Sequence, residues 1–263
     1  MDIPQETVAN LIEYNTAKYF LNLGHLNNDE VCDMPEIKYI FTNWQSRIFM
    51  ANFNESLASA NVKQVISRIK ELNISVLWFV TPMSRPKNLP NLLENHGFKY
   101  QKNWKAMAID LKTVPESFNI PEGMEIKEVL SLEELKIWAD VLVESFEFPK
   151  IAVSYKKYFI NARTQNHNFH YYLGFLNGKP VICAALFKGE GAAGLFYIGT
   201  IHEARRKGIA LAMVYYLLSE AKNKGYDLSI LNASELGHHL YKKIGFKEYF
   251  TTKIYNLTPL STF

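Results

Sequence analysis

Only two cysteines occur in 263 residues, Cys32 and Cys183, far apart and outside any CxxC or Cys/His cluster. That excludes a disulfide framework and a legible zinc site, so no metal is expected. It also makes a reducing cytoplasm the expected compartment, with both thiols as small buried side chains. Long apolar runs are missing too. The longest, Ile209 to Leu218, has ten residues, against the about 18–20 of a membrane helix. No membrane association is expected, and the run reads as a buried helix. The opening, Met1-Asp2-Ile3-Pro4-Gln5-Glu6, lacks the basic and then apolar character of a secretory leader. An excess of one charge is absent: Lys+Arg 29 against Asp+Glu 26 gives +3, too little to suggest a nucleic-acid partner. What the chain does have is 48% hydrophobic and 14% aromatic residues. That excludes wholesale disorder.

Proline and glycine are sparse enough to act as punctuation. Lys112 to Gly123 carries Pro115, Pro121 and Gly123 in a polar setting, which reads as a linker. The expected domains are 1–118 and 119–263. The two halves look related. Leu92-Leu93-Glu94-Asn95-His96-Gly97-Phe98 parallels Leu240-Tyr241-Lys242-Lys243-Ile244-Gly245-Phe246 at an offset of 148 (245 minus 97). Each Gly-Phe ends a helical pattern and precedes a strand, so Gly97 and Gly245 are expected at positive φ past a helix end. Upstream, helix Val62–Asn73 and strand Ile74–Val80 parallel helix Ala210–Lys224 and strand Asp227–Leu231.

The second half is the more regular. Met124–Val129 reads as a strand. Ser131 with Glu134 forms a capping box, and a helix follows with Leu135, Trp138, Ala139 and Leu142 at helical spacing. Strands are predicted at 170–176, 180–188 and 192–200, joined by the turns Asn177-Gly178-Lys179 and Gly189-Glu190-Gly191. Helix 208–224, strand 227–233, helix 235–244 and strand 247–257 complete an α/β (α+β) pattern.

The chemistry lies where the strand ending at Thr200 feeds the apolar helix. Arg205-Arg206-Lys207-Gly208-Ile209-Ala210 puts three cations and a glycine at a helix N-terminus. Cations there oppose the helix dipole unless an anion sits among them, and a phosphate would resolve the conflict. Gly208 lets backbone N–H groups approach that anion. Neither GxxxxGK[ST] nor GxGxxG is present, and a solvated basic turn is the plain alternative.

These residues resemble the [QR]-x-x-G-x-[GA] motif of the GNAT acyltransferase superfamily, and Leu240-Tyr241-Lys242-Lys243-Ile244-Gly245-Phe246 resembles its second hallmark. The resemblance covers about residues 122–257. It implies two GNAT-like domains in tandem, each a mixed, mostly antiparallel central sheet flanked by helices. The first would be a degenerate copy. It further implies acetyl-CoA as co-substrate. Backbone groups at Ile198, Gly199 and Thr200 would pair with the pantetheine arm, where the two central strands splay. Backbone N–H groups from Arg206 through Lys207, Gly208 and Ile209 to Ala210 would hold the pyrophosphate, with Arg205 and Lys207 adding charge. Asn232 and Ser234 would contact the arm, and Tyr241 would stand near the sulfur as proton donor. Alanine at 210, where many members have glycine, is an accepted variant.

The implied reaction is transfer of an acetyl group to a primary amine of a small acceptor by direct attack in a ternary complex. A non-catalytic acyl-CoA sensor is the alternative, against which the retained Tyr241 argues. Glu144, His170, His202 and Glu203 are candidate bases. Glu144, Phe146, Phe148 and Tyr171, with Tyr155, Tyr158 and Phe159, are the expected acceptor wall, although core packing would equally explain the aromatics. The first half lacks the machinery: Leu93 stands for Tyr241 (241 minus 148), and Phe53–Ala58, with no cation, stands for the phosphate loop. That half is then a scaffold, a lid or the surface of a homodimer.

Overall fold

The computed structural model describes residues 4–42, 45–148, 158–162 and 166–258. They divide into two compact units interleaved along the chain. One comprises Met1–Ala106, Ala233–His238 and Glu248–Phe263; the other comprises Met107–Asn232 and His239–Lys247.

In the first unit, α1 (Gln5–Leu26) leads into β1 (Glu30–Met34), β2 (Ile37–Phe41) and β3 (Ser46–Phe49). Then come α2 (Ala58–Leu72), β4 (Val76–Val80), α3 (Leu89–Asn95) and the start of β5 (Lys99–Asp110). Strand order is β1-β2-β3-β4-β11, and β11 (Lys247–Leu257) comes from the far end of the sequence. β1, β2 and β3 form an antiparallel meander, and β3 runs parallel to β4. β11 lies antiparallel to β4, from Lys253 opposite Val80 to Leu257 opposite Val76. Val62, Ile66 and Ile69 repeat at helical spacing and bury one stripe of α2 on Ile48, Trp78, Leu89 and Leu93.

The second unit starts with the end of β5, whose exit is fixed by Leu111 N donating to Asp227 O at 2.9 Å. β6 (Met124–Glu128) and α4 (Leu132–Ser145) follow, then helical residues 158–162, β7 (Phe169–Leu176), β8 (Lys179–Lys188) and β9 (Ala193–Thr200). α5 (Ile209–Asn223), β10 (Leu228–Ala233) and the later turns of α6 (Glu235–Ile244) complete it. Its strand order is β10-β9-β8-β7-β6. Again a meander is antiparallel and the last pairing, β9 with β10, is parallel. Ser131 Oγ accepts from Glu134 N at 3.1 Å while Glu134 Oε2 accepts from Ser131 N, so the expected capping box is formed. Trp138 is fully buried and its Nε1 donates to Ala184 O at 2.9 Å, which pins α4 to the sheet.

The mixed, mostly antiparallel sheets with flanking helices are the fold class expected. Elements of the second half lie within about two residues of their sequence-based bounds. The 22-residue α1 and the strands β1, β2 and β3 were not read from the sequence.

Candidate active site

The segment from β9 into α5 has the local structure of an anion cradle. Arg206 (φ 63°) and Gly208 (φ 76°) are both left-handed, and Gly208 caps α5. Two left-handed residues in three fold successive N–H groups inward, the geometry of an anion-binding nest. The N–H groups of Arg206 to Ala210 donate to no carbonyl among the described residues; the first helical bond is Ala212 N to Gly208 O at 3.0 Å. Arg206, Lys207 and Gly208 are exposed. Arg205 behaves differently. Its Nε donates to Thr200 O and its guanidinium NH2 to Ser145 O, each at 3.1 Å. The first cation of the motif therefore ties the loop to β9 and to the end of α4.

β9 leaves β10 immediately upstream of this loop. Parallel pairing covers only Ser229 with Ala193 and Ile230 with Gly194, and beyond it β9 runs on to Thr200. The expected splay is therefore present on the β10 side of Ile198, Gly199 and Thr200. On the other side, β8 pairs Cys183 with Gly199 and then Ala185 with Phe196, so β9 carries one extra residue. This bulge falls at Tyr197, which adopts φ 50°. Bulges re-aim strands beside functional sites, and no glycine in the sequence marks this one. A side chain at Gly199 could not fit: its Cβ would come within 2.6 Å of the Phe146 ring and 2.8 Å of Ser145 Cβ. Ser145 Oγ is buried and has no hydrogen-bond partner among the described residues.

Tyr241 lies in the last turns of α6. Its ring is buried and meets Phe246 edge-on at 5.7 Å. Its hydroxyl makes no hydrogen bond among the described residues. Burial pushes its phenol above the usual 10, so it stays protonated at neutral pH. The Schellman pair Phe246 N to Tyr241 O (3.0 Å) and Gly245 N to Lys242 O (3.1 Å) closes the helix.

Residues 135–246 match a model of the acetyltransferase (GNAT) family. This stretch is a GNAT domain. Solved structures agree with the fold over more of the chain. A GCN5-related N-acetyltransferase from Kribbella flavida is 17% identical, with a TM-score of 0.68 over 91% of this chain and 94% of its own. One from Sphaerobacter thermophilus is 18% identical, with a TM-score of 0.66 over 87% and 80%. A tandem GNAT protein from the clavulanic acid biosynthesis pathway is 12% identical, with a TM-score of 0.59 over 84% and 78%. No curated protein matches the chain. Family membership makes acyl-CoA-dependent acetyl transfer the activity class of the GNAT domain.

The remaining expected site residues of the GNAT domain divide sharply. Phe146 is 41% exposed and stacks on Phe148 at 5.6 Å, with Tyr197 edge-on to Phe146 at 6.4 Å. Tyr197 was not anticipated, because its placement depends on the bulge. Glu144 is exposed on the last turn of α4. Tyr171 is fully buried against Trp138 and Phe159; it belongs to the core and offers no surface to an acceptor, and Phe159 is likewise buried. Tyr155 lies outside the described residues. His170 and Tyr172 share the opposite face of β7 from Tyr171. His170 Nδ1 bonds Glu128 Oε1 at 2.7 Å, and Tyr172 OH donates to Glu220 on α5. His170 is thus on the α5 side of the sheet, away from the α4 aromatics. His202 and Glu203 are exposed in a 3₁₀ turn. Asn232 is half-buried at the end of β10, and Ser234 Oγ accepts from Gly237 N at 3.4 Å, capping α6. Among the described residues no group of three or more His, Cys, Asp or Glu could hold a metal ion, and no helix is long and apolar enough to cross a membrane.

Proposed function

We propose that the GNAT domain, within residues 119–263, transfers an acetyl group from acetyl-CoA to a primary amine of a small acceptor by direct attack in a ternary complex. The observation that carries this reading is the row of free N–H groups at Arg206 to Ala210 beside the splayed edge of β9. The donor set fits a pyrophosphate: backbone N–H groups in a nest, a helix N-terminus, and the exposed cations Arg206 and Lys207. Acetyl-CoA supplies an acetyl thioester that an amine can attack. Arg205 acts as a positioning residue, holding the loop to Thr200 and Ser145. Ile198, Gly199 and Thr200 offer unpaired strand edge to the pantetheine arm, with Asn232 at the end of the neighbouring strand.

Tyr241 holds the proton that the departing thiolate requires. Its phenol, already above a thiol's reference value of about 8.5, is raised further by burial. Donation is uphill at equilibrium, so its benefit comes from position. Phe146, Phe148 and Tyr197 give the acceptor an apolar wall. With His170 on the other face, Glu144 on the α4 side is the carboxylate available to receive the amine proton, directly or through water.

The test has two stages. Acetyl-CoA should raise the melting temperature by mass action, and a panel of small primary amines should include one that releases CoA thiol. Absence of any acetyl-CoA binding would remove the assignment. Binding without turnover of any amine would instead favour an acyl-CoA sensor.

A further inference from the structure

The first unit contains a groove on its hairpin edge. Its β1-β2-β3 meander with parallel β4 repeats the pattern of β7-β8-β9 with parallel β10. In the second unit β6 covers the outer edge of β7, from Met124 opposite Leu176 to Glu128 opposite Tyr172. Among the described residues no strand covers the outer edge of β1. What remains between β1, β2 and α2 is a half-open cavity of about 590 Å³, a volume typical of small-molecule sites.

Its floor is one face of the hairpin. The cross-strand pairs Glu30–Phe41, Cys32–Tyr39 and Met34–Ile37 all point into it. The Tyr39 and Phe41 rings stack at 4.2 Å and 16°, making a flat aromatic block. One stripe of α2, with Asn61, Gln64, Arg68 and Glu71, forms the wall.

Charge decides what fits. The lining carries Glu30, Glu36 and Glu71 against Arg68 alone, three negatives and one positive, a net of −2. Arg68 has its charge already paired: Nε reaches both Glu30 oxygens at 3.2 and 3.1 Å, NH2 also binds Glu30, and NH1 binds Glu71 at 2.8 Å. Glu36 has no ion pair or side-chain hydrogen bond among the described residues. Burial pushes the Tyr39 phenol up to about 12, so it adds no charge at neutral pH. An anion would meet only carboxylates and an occupied guanidinium. A cation with a flat apolar body would lay that body on the half-buried Tyr39 ring, which the buried Phe41 backs, and place its charge toward Glu36 and the acidic rim.

The geometry points to this groove as a binding site for a small organic cation with an aromatic or alicyclic body, separate from acetyl transfer. The probe is benzyltrimethylammonium, which has no N–H to acetylate and so cannot act as an acceptor in turnover. The control is 3-phenylpropionate, a similar ring with the opposite charge. Calorimetry on the full chain should give a Kd for the cation below about 1 mM, with the anion at least about tenfold weaker. Glu36→Lys changes an exposed turn residue and Gln64→Trp fills the groove from an exposed helix position. Each should weaken the cation about tenfold while leaving acetyl-CoA affinity and melting temperature unchanged. Lys207→Ala should leave the cation's affinity untouched, which separates this site from the phosphate cradle. Equal binding of anion and cation, no saturable binding up to about 10 mM, or affinity indifferent to both groove substitutions would overturn the assignment.

Discussion

Two helices in this chain begin after the third strand of a meander, and they begin in opposite ways. At the start of α5, Arg206 and Gly208 turn left-handed and the N–H groups of residues 206–210 are left without carbonyl partners. At the start of α2, Asn54 Oδ1 accepts from Ser56 N at 3.0 Å and from Ser56 Oγ at 2.9 Å, and Leu57 N donates to Asn54 O. No residue from 53 to 58 has positive φ. The first loop satisfies itself with an Asn side chain; the second keeps its donors for something else. The same contrast recurs one helix later. Leu93 and Tyr241 hold equivalent places in identical Schellman ends, with Phe98 N to Leu93 O and Phe246 N to Tyr241 O both at 3.0 Å. Local geometry is shared while the side chains differ, so the two units carry different chemical groups on one backbone logic.

Substitution at that second pair should give the largest effects. Tyr241→Phe keeps the ring and removes only the hydroxyl. kcat with an accepted amine should fall by about 10²–10⁴, with CoA affinity and melting temperature close to the parent. Leu93→Ala should do the reverse: a stability loss of about 2–5 kcal/mol from a fully buried site, with kcat per folded molecule unchanged. Unchanged kcat in Tyr241→Phe would return Tyr241 to a packing role.

The two helix starts come next. Replacing Arg205 and Lys207 together by Ala should weaken CoA by at least about 1.5–3 kcal/mol, the worth of the one charged hydrogen bond that Lys207 offers, with a further loss as the loop loses its ties to Thr200 and Ser145. The singles separate the roles. Lys207→Ala should lower affinity alone, whereas Arg205→Ala should also lower the melting temperature, because its two bonds to Thr200 and Ser145 carbonyls are internal. Titration of the parent should saturate at one CoA per chain. A second equivalent surviving in the double variant would place phosphate binding at the α2 start as well, and the contrast would collapse.

How much of this was legible in the sequence follows from where periodicity is strong. The second half announces itself through Ser131 and Glu134, through Asn177-Gly178, and through the apolar run from Ile209. The cation-glycine sequence at 205–208 could be read as a cradle because its residue types conflict with a helix N-terminus unless an anion is near. The β9 bulge was not legible, because Tyr197 is left-handed without being glycine or asparagine. Arg205 was read as a phosphate ligand, since spacing cannot show that its guanidinium turns back to two carbonyls. Tyr171 was read as pocket wall, because an alternating strand does not say which face a helix will cover. The assignment of β11 to the first unit is a long-range pairing that no local pattern encodes.

Gly97 and Gly245 test whether the shared geometry is real. Their φ values are 92° and 114°, a region that costs an L side chain about 1–2 kcal/mol. An added Cβ would meet only ordinary contacts, Leu257 at 3.8 Å and Ile109 at 3.6 Å. Gly97→Ala and Gly245→Ala should therefore each destabilise by about 1–2 kcal/mol. If chemical denaturation showed one tolerated and the other severe, the two helix ends would not be equivalent.

The smallest expected effect concerns how each unit begins its first long helix. α1 starts after Pro4 with no side-chain cap, whereas α4 has the Ser131–Glu134 box. The hydrogen bond from Lys127, then those from the Leu130 and Ser131 N–H groups, pull the Glu134 carboxyl down from 4.5 to about 2. A carboxyl lowered by folding stabilises the protein when ionised. Its contribution is complete above about 4.5, where the unfolded chain's carboxyl is also ionised, and is lost as pH falls toward about 2. Because the pair with Lys127 is largely solvated, the contribution is held to about 0.5–1 kcal/mol. Glu134→Gln should therefore melt slightly below the parent at pH 6, and the gap should close between pH 4.5 and the lowest pH the protein tolerates. A gap of constant size across that range would mean that the box works through its neutral hydrogen bonds alone, and that the charged pair with Lys127 adds nothing that the uncapped start of α1 lacks.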